Sequence, residues 1–363
     1  MIRWRSGLVV EIRSQWGTAL ELGVTLAGAD SDAPHLVRAL AYTDVVGSPQ
    51  VGEEVLVNVT ALDLELGTGG YALVAAIPSR LPEDPVGPGH LVKARYTPLQ
   101  MTVLGVDEQE SPHHSLLREA DDLTEMPVVT ADLHSALPAI VSGIRDSRPD
   151  AVVAYVATDG GALPLAFSRT VHGLKEAGWI AGSVTVGQAF GGDFEAVTVH
   201  NGLLAARLVL GADIAIVTQG PGNLGTGTRW GFSGVAAGEA INAAAVLNGR
   251  PVAALRVSAA DERGRHRGIS HHSMTAYGKV AAFPADVVVP ALTDEIGDLV
   301  KRQAGSLSPP HRLAETSTDG LAEALATCPV PLSTMGRDVD EDAAAFLASA
   351  AAGRHAASLV ASH

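Results

Sequence analysis

Groups able to move protons or grip an anion are concentrated in five loops of this 363-residue chain, each following an apolar run. The first loop is Asp132-Leu-His134-Ser135 and the second is Thr158-Asp159-Gly160-Gly161. The third runs from Gln188 through Gly191, Gly192 and Asp193 to Glu195. The fourth is Gln219-Gly-Pro-Gly222-Asn223-Leu-Gly225-Thr226-Gly227-Thr228. The fifth runs from Asp261 through Arg263, Arg265, His266, Arg267 and Ser270 to His271 and His272. Imidazoles titrate near neutral pH, so His134, His271 and His272 are candidates for general acid–base work. Asp159 and Asp193, each beside a glycine pair, are candidates for orienting a substrate hydroxyl or amine. Ordinary turn chemistry would also place an aspartate there. No metal ligands are assigned. His271 and His272 are neighbours and diverge on a helix or strand, and no His-x-His, His-x-x-x-His or cysteine pattern accompanies them. A set assembled through space from His134, Asp159, Asp193 and one of the two later histidines is the remaining metal alternative.

Gly220-Pro-Gly222-Asn-Leu-Gly225 has the spacing of a dinucleotide fingerprint. The match fails in context, because Thr226 to Gly234 delays the helix and no acidic residue stands at the expected interval. A more general reading is that Gly222, Asn223, Gly225, Thr226, Gly227 and Thr228 present backbone N–H groups to an anion at the start of a helix. A plain glycine loop, with Ser233 capping the helix, fits the same residues. No Gly-Lys-Ser/Thr is present, which excludes a Walker A loop. The cluster of Arg263, Arg265, Arg267, His266, His271 and His272 stands out in an otherwise acidic chain and is expected to hold phosphate or carboxylate through forked contacts. A solvated loop is the alternative. The glycine pairs Gly160-Gly161 and Gly191-Gly192, with Ser270, complete the expected ligand contacts. No Gly-x-Ser-x-Gly elbow occurs. Cys328 reads as a small buried residue.

From 126 to 363 apolar runs alternate with helical patterns, the signature of βαβ units and a parallel sheet. Strands are expected at 127–131, 151–157, 183–187, 213–218, 252–258 and 286–289, with a seventh near 313–316. Helices are expected at 135–146, 163–177, 196–210 and 234–248. Right-handed crossovers gather the strand carboxyl ends, and all five loops, on one edge. The opposite-edge loops, 147–150 and 248–251, are short. An alanine-rich helix after Val339 is expected to pack on the outside. Residues 1–85 instead show five short runs with turn residues between them, at 8–12, 19–22, 36–42, 55–59 and 71–77. That spacing suggests a small β-barrel of the OB or SH3 type, with a tight hairpin at 66–70. Residues 86–125 read as a Pro/Gly-rich linker with bridging strands at 91–96 and 99–106. The fold class expected is therefore α/β, a three-layer parallel-sheet domain behind a barrel-like one.

A net charge of −15 argues against binding duplex nucleic acid or an anionic membrane. The barrel region is acidic and lacks a series of stacking aromatics, so oligonucleotide binding is not expected of it. A single cysteine excludes an intramolecular disulfide and cysteine-based zinc or iron–sulfur sites. The amino terminus has charge but no following apolar region, and no apolar stretch approaches a membrane span, so a cytoplasmic location is expected.

The chain resembles a bacterial family classed as a domain of unknown function, family 3866. The stretches that carry the resemblance are 64–71, Asp132 to Ser135, Thr158 to Ser168, Thr185 to Asp193, Gly220 to Gly234 and His266 to Ser273. The resemblance covers nearly the whole chain and implies the same two-part architecture. It implies no activity.

Two readings follow from the residues. The favoured one is an enzyme acting on a small anionic metabolite, phosphorylated or carboxylated, by group transfer or hydrolysis. The other is a non-catalytic metabolite sensor, or a scaffold whose barrel recruits a partner. The residues name no cofactor, and they leave homo-oligomer formation open.

Overall fold

A computed structural model describes residues 1–27, 35–67 and 69–361. Contacts divide the chain into two compact units: Met1–Pro88 with Ala94–Met101, and Gly89–Lys93 with Thr102–His363.

The first unit is a closed five-stranded barrel. Its strands are β1 (Trp4–Trp16), β2 (Ala19–Leu26), β3 (His35–Tyr42), β4 (Glu54–Asn58) and β5 (Ala72–Ala76). They close in the order β1-β2-β3-β5-β4, with β1 antiparallel to β4 and β3 parallel to β5. Single turns α1 (Thr43–Val46) and α2 (Thr60–Asp63) lie in the connections. The barrel interior is filled by Val9, Leu22, Val24, Ala39, Val55 and Val57 among others. β1 is much longer than its apolar pattern because its two ends pair with different neighbours, Trp16 opposite Ala19 and Trp4 opposite Asn58. Register shifts after Val9 and Ile12 bend it from one partner toward the other. The hairpin expected at 66–70 includes Thr68, which lies outside the described residues. The bridging strands are shorter than expected: β6 (Leu91–Lys93) and β7 (Met101–Val103) form a two-stranded ribbon of their own. Left-handed backbone at Ala94 and Tyr96 stops β6.

The second unit takes in β6 and most of β7, passes through the turn α3 (His114–Leu117) and then builds an eight-stranded, all-parallel sheet. Its strands are β8 (Pro127–Thr130), β9 (Val153–Thr158), β10 (Gly182–Thr185), β11 (Phe194–Glu195), β12 (Ile214–Gln219) and β13 (Arg250–Ala254), then β16 (Asp286–Ala291) and β17 (Arg312–Ser317). A separate antiparallel pair, β14 (Val257–Ser258) and β15 (Gly268–Ile269), lies between β13 and β16 in sequence. The spatial order is β11-β10-β9-β12-β8-β13-β16-β17. The helices are α4 (Leu137–Ser147), α5 (Arg169–Glu176), α6 (Val199–Leu208), α7 (Ala236–Val246), α8 (His271–Thr275), α9 (Glu295–Ala304), α10 (Leu321–Ala326) and α11 (Ala343–Leu359).

Continuous apolar strands demand cover on both faces, and they receive it. Tyr155, Ile214 and Ile216 pack with α4, α5, α10 and α11 on one side. Ala154, Val156, Ala215 and Val217 pack with α6 and α7 on the other. A further cluster joins α7 and α9 around β13 and β16. The sheet has one strand more than expected, because β11 is only two residues long and gives no periodic signal. The helix expected at 163–177 is broken instead: Leu165–Phe167 form one tight turn, and Ser168 caps α5 by accepting from Val171 N. The run expected as one strand at 252–258 divides into β13 and β14.

The alanine-rich helix is not an outer layer. α11 buries Ala344, Phe346, Ala348 and Ala350 to Gly353, and it packs on α4 and over β8, β13 and β16. A helix with almost no polar side has no face to give to water. The two helices touch backbone to backbone. A Cβ on Gly143 would lie 1.9 Å from the Ala350 carbonyl oxygen, and one on Gly353 would lie 1.9 Å from that of Ile140. Gly143→Ala is therefore expected to destabilise the fold by about 1–3 kcal/mol or more, through forced separation of α4 and α11. Denaturant unfolding of this variant against wild type is the measurement, and an unchanged midpoint would contradict the close crossing.

Candidate functional site

β8 and β12 are neighbours whose connections leave in opposite directions, β8 toward β9 and β12 toward β13. Such a switch in direction opens a crevice at the carboxyl ends of the strands, where α/β sheets bind ligands. Asp132, just past β8, and Gln219, the last residue of β12, mark it. Asp132 is 3% exposed, and its backbone carbonyl accepts from Gln219 Nε2 at 2.7 Å.

Arg256 reaches the crevice from the segment between β13 and β14. Its guanidinium NH1 lies 3.6 Å from Asp132 Oδ2 and 3.2 Å from His272 Nδ1, and His272 Nδ1 lies 3.5 Å from the same carboxylate oxygen. The loop after β14 returns as β15 and runs into α8, which brings His266, His271 and His272 beside that pair. Gly268 makes the return with φ +70, where a Cβ would also strike Gln303. Ser270 then holds the corner. Its hydroxyl accepts from His272 N at 3.2 Å and bonds His266 Nδ1 at 2.8 Å. The rings of His271 and His272 sit 4.4 Å apart, and that of His266 sits 4.9 and 5.1 Å from them. Phe232, in the loop after β12, stacks flat on His272 at 3.9 Å.

The environment favours neutral imidazoles. Burial, followed by the charges of Arg256 and Arg263, pushes His266 down to about 4. Burial, followed by His272 and Arg265, lowers His271 as well. Both carry a free lone pair at neutral pH.

Among the described residues, four buried side-chain polar atoms have no hydrogen-bond partner: Asp132 Oδ2, Thr158 Oγ1, Gln219 Oε1 and His271 Nε2. Each such atom costs about 1–3 kcal/mol. All four stand at this edge. Asp132, Thr158 and Gln219 share a small cavity of about 10 Å³ against Gly234. On the other side of Asp132 a cavity of about 30 Å³ is lined by Arg256, Ser135, Ser258, Thr334 and Arg337. Unpaired buried acceptors beside a partly buried cation call for a donor that the neighbouring side chains do not supply.

The family model described as a protein of unknown function (DUF3866) matches residues 38–353, nearly the whole chain. The chain belongs to this family. No curated protein matches it.

In this DUF3866 protein the residues expected to act together are placed apart. His134 is buried behind Asp132, with Nδ1 bonded to Tyr155 Oη at 3.0 Å and Nε2 to Ser168 Oγ at 2.7 Å. Both nitrogens are thus occupied in holding β9 and the α5 cap. Asp159 is exposed and accepts from Gln188 N at 2.8 Å. Asp193 is at the opposite edge, because it precedes β11 and sits beside the start of β10. There it accepts from Ser183 N at 2.8 Å and pairs with Lys175. Only His271 and His272 of the expected acid–base set meet, and the diverging directions expected of adjacent histidines do not keep their rings apart.

Several of the expected anion contacts are likewise engaged elsewhere. Gly191 N donates to Glu195 and Gly192 N to Thr185. Gly160 and Gly161 let the loop after β9 press on Gln219 and Gly220; a Cβ on Gly161 would lie 2.1 Å from the Gly220 carbonyl oxygen. Beyond Gly222, the segment Gly225 to Phe232 folds on itself, with Thr226 N donating to Gly231 O and Thr226 Oγ1 3.1 Å from Thr228 Oγ1. Gly227 lies in its exposed turn. Asn223 Oδ1 accepts from Gln219 Nε2 and Ser233 Oγ. The Ser233 hydroxyl therefore ties the loop together and does not cap α7. Arg263 forks onto Asp261, while Arg265 and Arg267 are exposed. Ser270 is a structural hub.

Arg256 is the cation that sequence reasoning missed. Its signal was a lone charge inside an apolar run. Lys93 was missed too: it is fully buried, donates to the carbonyls of Ala189 and Ala196 at 2.9 Å, and faces Glu195 at 3.4 Å. Burial lowers the lysine and raises the glutamate, and their mutual attraction opposes both shifts.

Burial also pushes His134 down to about 4, against an ordinary value near 6.5. The folded chain then binds fewer protons than the unfolded one. The stabilisation is complete above about pH 6.5 and is lost as pH falls toward 4. His134→Gln should therefore flatten the fall of stability between roughly pH 7 and pH 4 by about 3 kcal/mol. Unfolding free energies across that range provide the test, and parallel curves for the two proteins would refute it.

Proposed function

We propose that this protein is an enzyme that acts on a small anionic metabolite, phosphorylated or carboxylated, by group transfer or hydrolysis at the carboxyl edge of the sheet. The observation that carries the reading is the partly buried Asp132–Arg256–His272 cluster with unpaired acceptors around it. Arg256 would neutralise the anion, since a guanidinium forks onto phosphate or carboxylate oxygens. His271, neutral and with Nε2 unpaired, would accept or return a proton. Arg265, exposed and close enough to influence His271, would guide the anion inward against the overall negative charge. A bacterial cytoplasm is the compartment this reading supposes, with no nucleic acid or membrane partner. No helix of the described residues is long and apolar enough to cross a membrane.

One observation favours the scaffold reading. The barrel's β1 points Trp4, Leu8, Val10 and Ile12 outward, each more than 40% exposed. A row of apolar side chains on a strand's outer face is a surface on which a partner can pack.

A thermal-shift screen with phosphorylated and carboxylated metabolites, followed by turnover assays on each hit, separates the two. The enzyme reading expects a hit that raises the melting temperature by several degrees and is consumed. Arg256→Ala should abolish that shift and Arg256→Lys should keep part of it. A full screen without stabilisation or turnover would leave the scaffold reading in its place.

A further inference from the structure

We propose that His266, His271 and His272 form a three-histidine site for a divalent transition metal, with Asp132 behind it as the carboxylate that orients His272. One ligand atom from each histidine lies within 4.8 Å of the other two, which makes this a group able to surround an ion. On a tetrahedral zinc with bonds of about 2.0–2.1 Å the ligand atoms would be roughly 3.4 Å apart, so the rings must close inward by about an ångström. Side-chain rotation of that size needs no change in the backbone.

The hydrogen bonds already assign the nitrogens. Ser270 engages His266 Nδ1, which leaves Nε2 for the ion. His271 Nε2 is buried without a partner, an arrangement with a cost unless something else satisfies it. His272 Nδ1 accepts from Arg256 and lies 3.5 Å from Asp132 Oδ2, itself unpartnered, so a shift of the ring proton to Nδ1, toward that carboxylate, would free Nε2 for the ion. An imidazole that donates its far N–H to a carboxylate is the usual outer support of a metal-bound histidine.

Arg256 sets a condition on this site. Its guanidinium is 3.2 Å from His272 Nδ1, and two donors cannot face each other there. With the ion bound, the Nδ1 proton would point to Asp132 and Arg256 would rely on the same carboxylate. Asp132 then serves the imidazole and the guanidinium together, which its lack of a hydrogen bond at Oδ2 allows. Three imidazole nitrogens favour zinc, nickel, cobalt or copper over magnesium or calcium, which prefer oxygen. Three protein ligands also leave a coordination position open for water or an anion oxygen. This rests on the enzyme reading only for the role of the ion, and it takes His271 out of the proton-carrying role given above, because one Nε2 lone pair cannot both ligate and accept a proton; binding is read without turnover.

The test is titration of zinc into the full-length, tag-free, chelator-treated protein by calorimetry, with X-ray absorption of the zinc-loaded wild type. One ion per chain, with three imidazole nitrogens in its shell, is the expected result. His266→Ala and His271→Ala should each weaken binding at least about 100-fold, and Asp132→Asn about 10–100-fold. His114→Ala, remote from the cluster, should leave it unchanged. Absence of stoichiometric binding by the wild type, or a zinc shell without three imidazoles, overturns the proposal whether or not the variants fold. If zinc fails while a metabolite still binds through Arg256, the metal site alone is lost. If zinc binds and no metabolite does, the enzyme reading alone is lost.

Discussion

A carboxylate buried at the end of a central strand constrains everything around it. Asp132 has almost no contact with water and lacks a hydrogen bond at Oδ2, so the fold must bring positive or donating groups to it. Arg256 and His272 are those groups, and they come from segments more than 120 residues later. The excursion through β14, β15 and α8 is the route by which they arrive. Its tight return at Gly268 and the corner held by Ser270 are local solutions to that long-range demand. The same demand explains why the arginine nearest the site is the one without carboxylate competition in its own loop. Arg263 sits closer to the histidines in sequence, but Asp261 captures it two residues away.

Much of the fold was legible because a sheet covered on both faces leaves a plain signature. The Val/Ile/Ala runs of β8, β9, β12 and β16 could be nothing but buried strands, and the glycine-rich loops after them had to share an edge. Barrel strands were visible from short alternating runs. Where the reading stopped, the cause was physical. β11 is too short to have a period. α11 looked like a peripheral helix because alanine is ambiguous: it fits a solvent-facing surface and a close helix crossing equally well, and only the reciprocal Gly143 and Gly353 contacts distinguish them.

The site was legible as a neighbourhood and illegible as a set of contacts. The Arg/His cluster announced itself against an acidic chain. Which of its members would face inward depended on pairing that no local pattern encodes. Asp193 shows the limit most clearly. It follows the third strand in sequence, yet the chain has already crossed back to the amino side before β11 starts. His134 shows another: a histidine at the end of a strand looks catalytic, but both of its nitrogens are occupied by Tyr155 and Ser168. The glycine pairs had a similar outcome, because Gly160, Gly161 and Gly220 exist so that two loops can touch.

The depth of α11 bears on how the molecule comes into being. Asp342, at the mouth of that helix, accepts from Ser258 Oγ and Ala259 N and pairs with Arg337, which also reaches Asp261. The loop bearing the histidines is therefore pinned by a segment made well after it. Domains assemble as units once enough chain has emerged. A nascent chain that stops short of residue 342 holds His266, His271 and His272 and has no clasp to set them. In the synthesis of this protein, the loop is made before the clasp that holds it.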